Sequence, residues 1–210
     1  EYCFQVSPAA LLQKLRFKFQ KLAIEQILVL SFGIFILAGA GALLLPAATT
    51  GSPLSFIEAL FTSTSATCVT GLVVVDTGTK FTLLGQIIIL IMIQAGGLGI
   101  VTFSTALLLL LERRLSIGSH DLLFETLSQG QVPNVRKLLK MLFISTFVLE
   151  GIGSVILSLR FMVDMPVGKA IYFGIFHSIS AFCNAGFALF PDSLVAYQDD
   201  VIVNFTIATL

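Results

Sequence analysis

Charged residues are scarce in this sequence. Only 11% of the chain is Asp, Glu, Lys or Arg, whereas a typical soluble domain has about a quarter. The formal net charge is zero, so no basic surface suggests a nucleic-acid partner. No charge occurs in residues 26–57 or 81–111, and Glu150 is the only one in residues 141–159. Because a bilayer core requires runs of roughly 20 apolar residues, the pattern excludes an ordinary soluble domain and predicts an all-α integral membrane protein.

Cysteine and histidine are also rare, with three and two copies. Cys3, Cys68 and Cys183 have no CxxC spacing and no neighbouring histidine cluster, which disfavours a zinc or redox site. No base lies directly beside these thiols, so we expect neither enzymatic activity nor a covalent cofactor. The N-terminal region lacks the small-residue cleavage pattern of a secretory signal peptide, and its first apolar run is therefore predicted to be a retained helix.

Four apolar runs are predicted to be membrane helices, at residues 22–45, 81–111 and 138–159 and from Val201 onward. Nine of the 12 Lys and Arg residues precede the first run, lie between the second and third, or stand at the start of the third, and the other two loops contain only Lys80, Arg160 and Lys169. Lys and Arg accumulate on the cytoplasmic side of membranes. The sequence thus predicts a multi-pass protein of the inner (plasma) membrane, with residues 1–21 and 112–137 in the cytoplasm.

The two outer loops each contain an apolar stretch that is too short to span the membrane. These stretches cover residues 53–66 and 168–182, and both are too apolar for a solvated loop. They are therefore predicted to be re-entrant helices. Ser52 and Pro53 suit the N-cap and the first position of the first one.

The two outer loops also repeat each other at an offset of 115 residues. Identical residue types occupy the following paired positions: Phe61 and Phe176, Ser63 and Ser178, Ser65 and Ser180, Ala66 and Ala181, Cys68 and Cys183, Gly71 and Gly186. Applying the same offset to the flanking runs predicts two parallel helix–re-entrant loop–helix units. The first unit covers residues 22–111, and the second, incomplete unit covers residues 138–210. The chain then holds about one and three-quarters of such units.

Segments without any acid or base follow the two short helices directly. Their residues are Thr67, Cys68, Val69, Thr70 and Gly71 in the first loop and Cys183, Asn184, Ala185 and Gly186 in the second. Backbone carbonyls are therefore the groups in these segments that can bind a ligand. Such oxygens can replace the water around a weakly hydrated cation. The negative C-terminal ends of the helices favour the same ligand. We predict a cation filter for potassium first and sodium second.

Three strings carry a family resemblance: SATCVTGLVVVDT at residues 65–77, QAGGLG at residues 94–99 and CNAGF at residues 183–187. They resemble the bacterial Ktr/Trk potassium-uptake proteins, and the match runs from about Lys18 to the end of the chain. The resemblance implies a pore subunit of four fused units with one filter glycine in each, here Gly71 and Gly186. It also implies a homodimer, a cytoplasmic nucleotide-binding regulatory ring and surrounding lipid. Two of the four filter strands are present, so the remaining repeat units are expected in a longer chain.

Several residues keep two interpretations. Gly96, Gly97 and Gly99 allow either close helix packing or a bend that faces the pore, whereas a nucleotide loop is excluded because no strand precedes them. Glu150 lies within an apolar run, where an ionisable group is a functional candidate. A structural hydrogen bond to a neighbouring re-entrant helix is favoured for it. His177 is predicted to serve in helix packing or polar bonding behind the filter, not as a metal ligand.

Two other functions compete with a cation pore. A secondary transporter, which couples sodium or proton movement to a solute, is often built from inverted repeats, whereas these repeats are parallel. A membrane enzyme with Cys68 or Cys183 as nucleophile requires a nearby histidine, and His177 is the only outer candidate.

Overall fold

The computed structural model describes residues 24–115 and 135–210, and every regular element within these two ranges is helical. The helices are α1 (Ile24–Leu43), α2 (Phe56–Thr67), α3 (Thr77–Lys80), α4 (Leu83–Leu115), α5 (Val135–Phe161), α6 (Val167–Phe182) and α7 (Val201–Thr209). Single turns of 3-10 helix occur at Pro46–Ala48 and Val195–Tyr197. The predicted N-terminal segment 1–21 and most of the predicted loop 112–137 lie outside the described residues.

Two hydrophobic cores hold these helices together. The larger one joins α1, α2, α4 and α6, and its buried members include Leu43, Ala59, Ile93 and Phe176. The smaller one joins α5, α6 and α7 around the fully buried ring of Phe161. Helix α6 contributes to both cores and therefore connects the first half of the described chain to the second.

The outer surface of the bundle is apolar. Within the described ranges, residues Leu139–Phe161 are long and apolar enough to cross a membrane, and only 28% of that window is buried. Val29–Leu43 and Leu83–Gly99 are shorter apolar stretches. Large side chains such as Val29 and Ile91 point away from the cores, with 71% and 57% of their surfaces exposed. An apolar surface of this extent is unusual for a soluble monomer and fits contact with lipid or with further protein.

Helix α2 begins three residues later than the predicted N-cap at Ser52. Its N-cap is Ser55, whose hydroxyl accepts a hydrogen bond from the Glu58 backbone N–H, while the Glu58 carboxylate accepts one from the Ser55 N–H at 2.8 Å. This reciprocal arrangement is a capping box and requires a Glu three residues after the cap. Ser52 instead accepts a hydrogen bond from Lys80 Nζ at 2.8 Å. The prediction of Ser52 as N-cap was wrong because the Ser-x-x-Glu pattern starts at Ser55.

The same hydroxyl-to-carbonyl bond joins each short helix to the long helix before it. Ser63 Oγ on α2 donates to the Ile36 carbonyl of α1 at 2.6 Å, and Ser178 Oγ on α6 donates to the Glu150 carbonyl of α5 at 2.7 Å. The two serines are 115 residues apart, whereas their two acceptors are 114 apart. The predicted offset of 115 residues therefore holds for the two serines but exceeds the spacing of their two acceptors by one residue.

Candidate functional site

Helix α2 ends in a Schellman motif that turns the chain into the first candidate segment. The Thr70 N–H donates to the Ser65 carbonyl at 3.0 Å, and the Val69 N–H donates to the Ala66 carbonyl at 3.4 Å. These are the two bonds of that motif, with Cys68 as the C-cap. The last turn of α2 is thereby closed, and the backbone beyond it is released from the helix.

Helix α6 ends in the same motif. The Ala185 N–H donates to the Ser180 carbonyl at 2.7 Å, and the Asn184 N–H donates to the Ala181 carbonyl at 2.8 Å. Each bond lies 115 positions after its counterpart in the first segment. The two candidate segments therefore leave their helices with the same backbone geometry.

Four residues of these segments have positive φ angles, and they too are 115 positions apart in pairs. Val69 and Asn184 have φ values of +56° and +55°, and Gly71 and Gly186 have φ values of +73° and +70°. Glycine and asparagine adopt this conformation readily, but a β-branched valine does so rarely. The strained Val69 backbone is held by the hydrogen bonds of the α2 C-terminus, and such strain is concentrated at functional sites.

The two segments meet at their glycines. A Cβ atom placed on Gly71 would lie 2.9 Å from the Ala185 carbonyl oxygen and 3.2 Å from the Gly186 Cα. A Cβ atom on Gly186 would lie 3.1 Å from the Gly71 Cα. A Cβ atom on Gly71 would therefore be too close to the opposite backbone, and one on Gly186 would make a tight contact, so glycine suits both positions for space as well as for φ.

A cleft of about 430 Å³ opens beside this contact, and both glycines line it. Asp76 lies on the cleft wall. Its carboxylate caps α3 by accepting hydrogen bonds from the Thr79 N–H at 2.7 Å and the Thr79 hydroxyl at 2.9 Å. The structure thus gives Asp76 a capping role and also leaves its charge at the edge of the cleft.

Some side chains of the candidate segments turn back into the protein, whereas Cys68, Thr70 and Asn184 are exposed. Thr70 Oγ1 donates to Ser65 Oγ at 3.0 Å, and Thr67 is 1% exposed with an unpartnered hydroxyl. Cys68 is exposed, whereas Cys183 is partly buried with its Sγ 4.0 Å from Gln94 Oε1. Backbone oxygens and the exposed Asn184 amide are therefore the main polar groups that the segments offer.

The glycine motif in α4 packs directly against both segments. A Cβ atom on Gly96 would lie 2.0 Å from the Thr67 carbonyl oxygen, and one on Gly97 would lie 2.8 Å from Cys183 Sγ. On Gly99 it would lie 3.4 Å from the end of the Phe32 ring, an ordinary contact. Helix α4 continues through all three positions, from Leu83 to Leu115. This geometry favours packing for Gly96 and Gly97.

Glu150 is buried, with 3% of its surface exposed, and its side chain bonds to another long helix. Gln94 Nε2 of α4 donates to Glu150 Oε1 at 2.8 Å. The favoured prediction gave Glu150 a partner on a re-entrant helix, and α6 does reach it, but through the Glu150 backbone carbonyl and Ser178. The Gln94 amide also faces the Cys183 thiol, so the pair stands immediately behind the second candidate segment.

Replacing Glu150 tests this pair. We expect Glu150→Gln to retain most of the stability, because its amide oxygen still accepts from Gln94. Glu150→Leu leaves the partly buried Gln94 donor without that acceptor, which costs up to about 1–3 kcal/mol. Thermal unfolding of the purified full-length protein in detergent measures the difference, and equal melting temperatures for the two variants would contradict the role of the hydrogen bond.

Gln86 is a structural residue that the sequence did not single out. Its Nε2 lies 3.1–3.3 Å from the carbonyl oxygens of Thr77, Gly78 and Phe81, and its Oε1 accepts from the Tyr172 hydroxyl at 3.0 Å. Gln86 therefore ties the turn before α4 to α6. The available signal was an amide inside an uncharged apolar run, where an unpaired polar group is costly.

A second polar cluster lies at the outer end of α5. Arg160 pairs with Asp164 at 2.8 Å and with Asp200, and its guanidinium lies 5.7 Å from the centre of the Tyr197 ring. Asp200 is also the N-cap of α7. Its bond from the Val203 backbone N–H, followed by the bond from Arg160, lowers the pKa of Asp200. These contacts explain Asp200 as a structural residue of the outer loop.

Comparisons with known proteins agree with the sequence resemblance. A family model described as TrkH, a cation transport protein, matches residues 3–210. Over 185 residues the chain is 44% identical to Ktr system potassium uptake protein B of Bacillus subtilis (strain 168) and 45% identical to the protein of that name from Vibrio alginolyticus. It is 36% identical over 192 residues to the potassium/sodium uptake protein NtpJ of Enterococcus hirae. These alignments cover 88%, 88% and 91% of this chain but 41%, 40% and 43% of the relatives, so the chain spans about two-fifths of their length. Because the family model covers nearly the whole sequence, the chain belongs to the TrkH family of cation transport proteins.

Proposed function

We propose that this chain is part of the pore-forming subunit of a potassium uptake protein. In this proposal, potassium moves down its electrochemical gradient past the backbone carbonyls of residues 67–71 and 183–186, which supply half of a four-part filter. The names of the relatives support potassium as the main ion, and the name of NtpJ keeps sodium as a second one.

One observation carries the proposal. Two segments that are 115 residues apart have the same C-cap bonds and the same pattern of positive φ, and they meet at Gly71 and Gly186 beside a cleft. The ends of α2 and α6 direct partial negative charge toward that place, which favours a cation. Carbonyl oxygens are suited to a weakly hydrated ion because they replace its water without a fixed charge.

The proposed architecture places α2 and α6 as re-entrant helices that enter from the outer side. Residues 22–111 form the first unit and residues 138–210 form part of the second. Residues 1–21 and 112–137 face the cytoplasm, and the protein lies in the inner (plasma) membrane. The exposed apolar side chains of α1, α4 and α5 support lipid or further units as their neighbours.

The proposed partners complete the pore and regulate it. Two further repeat units supply the missing filter strands, and the exposed side chains of Leu72, Val73 and Val74 are suited to contact with them. The word "system" in the relatives' names supports a second component. We assign to it the cytoplasmic nucleotide-binding ring, acting on a homodimer, that the family resemblance implies.

The competing enzyme function is disfavoured by the state of His177. Its Nδ1 lies 2.7 Å from the Phe173 carbonyl, and its Nε2 accepts from the Leu189 N–H at 3.3 Å. With both nitrogens bonded to backbone, the ring is not available to activate Cys183. These bonds also match the polar bonding that the sequence predicted for His177.

Potassium flux in proteoliposomes separates the pore from a coupled transporter. The full-length protein is reconstituted in vesicles with a potassium gradient as the only ion gradient. These vesicles, to which no valinomycin is added, are compared with vesicles that contain no protein. We expect potassium flux that follows the potassium gradient with no sodium or proton gradient present. A strict requirement for a second ion gradient would overturn the pore and favour the secondary transporter.

A further inference from the structure

The two candidate segments are alike as far as their glycines and differ immediately beyond them. Phe187 and Leu189, which follow Gly186, are 2% and 3% exposed. Leu72 and Val74, at the same positions of the first loop, are 62% and 50% exposed. The chain directly after Gly186 is therefore packed against the protein, whereas residues 72–74, directly after Gly71, are exposed.

Two side chains of α6 hold the packed segment, here called the outer strand and defined as residues 186–189. Ser180 Oγ donates to the Phe187 carbonyl at 2.7 Å, and His177 Nε2 accepts from the Leu189 N–H at 3.3 Å. Because Nδ1 of His177 lies 2.7 Å from the Phe173 carbonyl, its proton is on Nδ1 and Nε2 is free to accept. One bond thus fixes a carbonyl of the outer strand and the other fixes an N–H.

The first loop has no equivalent of these two bonds. Thr62 occupies the position of His177, and its buried hydroxyl has no hydrogen-bond partner among the described residues. Ser65 occupies the position of Ser180, and its hydroxyl accepts from Thr70 instead of reaching Leu72. The attachment is therefore specific to the second loop.

The outer strand connects this attachment to the first unit. The Leu189 carbonyl lies against Gly78, where a Cβ atom would come within 2.0 Å of its oxygen. A cavity of about 170 Å³ remains behind the outer strand, lined by residues that include His177, Ser180 and Gly186. Because this cavity leaves a gap in the packing on the side of α6, the two hydrogen bonds supplement the packing there and fix the distance between the outer strand and α6.

From this geometry, and resting on the proposed pore function, we infer that His177 and Ser180 are positioning residues for the second filter segment. By fixing Phe187 and Leu189, they set where the Gly186 carbonyl stands relative to Gly71. His177 acts through its Nε2 acceptor, and the aromatic rings around it, those of Phe161, Phe173, Phe176 and Phe190, hold the imidazole with centroid distances of 5.0–5.8 Å.

A pair of substitutions at His177 separates the acceptor from the packing. His177→Gln keeps an acceptor at the distance of Nε2, whereas His177→Phe keeps a ring among the aromatic neighbours and removes the acceptor. The readout is potassium-over-sodium preference, measured by uptake of the full-length protein in a bacterial strain without other potassium uptake, with membrane levels determined in parallel. Since losing one hydrogen bond changes an equilibrium by roughly two- to tenfold, we expect H177F to lower the preference by about that factor. H177Q should keep it.

Two further variants complete the test. Ser180→Ala removes the other hydrogen bond and should also lower the potassium-over-sodium preference. If H177F does not reach the membrane, S180A alone tests the inference. Thr62→Val, the matched control in the first loop, removes an unpartnered hydroxyl and should leave preference and uptake unchanged. Normal preference in S180A, or equal loss in H177Q and H177F, would overturn the inference. If Gly186→Ser is also without effect, the filter itself is wrong; if only Gly186→Ser has an effect, the filter stands and the positioning role fails.

Discussion

Gly71→Ser is expected to reduce potassium uptake and potassium-over-sodium preference by roughly tenfold or more. At φ +73° any L side chain is strained by about 1–2 kcal/mol, and a Cβ atom would also press on the Ala185 carbonyl and the Gly186 Cα. Both obstacles are backbone atoms of the opposite segment, so they cannot rotate away. Uptake by the full-length protein in a transport-deficient bacterial strain, at matched membrane levels, measures the effect. Gly71→Asp should abolish uptake, because a carboxylate would additionally bind the cation tightly at the narrowest contact.

Gly51 provides the matched control for backbone strain. It has the same φ of +73°, yet a Cβ atom there would meet nothing within 4 Å among the described residues. Gly51→Ser therefore imposes the strain without the contact, and we expect normal uptake and ion preference. If Gly71→Ser and Gly71→Asp also leave both quantities unchanged, Gly71 is only a turn residue and the carbonyl filter must be abandoned.

The local turns at the two candidate segments could be predicted because they depend on short stretches of sequence. Ser65 and Ala66 recur as Ser180 and Ala181, and the same Schellman bonds follow in both loops. Val69 shows the limit of this reasoning. Local preference favours Gly or Asn at such a position, as Asn184 illustrates, so a valine with φ +56° reflects the surrounding structure more than its own propensity.

Contacts between distant helices could not be predicted in the same way. Glu150 was recognised as unusual because it is a charge in an apolar run, but its partner Gln94 is 56 residues away on another helix. An apolar face shows which side of a helix is buried and does not specify which neighbour covers it. The offset of 114 between the Ile36 and Glu150 acceptors has the same origin, because helix packing and not sequence spacing decides which residues meet.

Whether the glycines of α4 serve packing or bending is a question that the geometry around them makes testable. The sequence did not distinguish packing from bending for Gly96. In the structure, the Cα of Gly96 packs directly against the last residue of α2, Thr67. A Cβ atom at Gly96 would lie 2.0 Å from the oxygen, 2.8 Å from the carbon and 3.2 Å from the Cα of Thr67. All three are backbone atoms at the base of the first candidate segment.

Gly96→Ala is therefore expected to destabilise the protein by roughly 1–3 kcal/mol or more, because α2 and α4 must separate to admit the methyl group. Thermal unfolding of the full-length protein in detergent should show a lower melting temperature, and potassium uptake should fall with it. Gly99→Ala, one turn further along α4, is the control: among the described residues its methyl group would touch only the end of the Phe32 ring, at 3.4 Å. That variant should melt at the original temperature or slightly above it, since alanine favours a helix over glycine.

The same two variants distinguish packing from bending. If Gly96 serves as a flexible hinge, alanine there should leave the melting temperature unchanged and alter the opening of the pore instead. Alanine at Gly99 should then have a similar effect, because a bend depends on backbone freedom along the whole motif and not on one contact. A lower melting temperature confined to Gly96→Ala would favour the packing of α4 against α2, with the first candidate segment held in place by a glycine that cannot be enlarged.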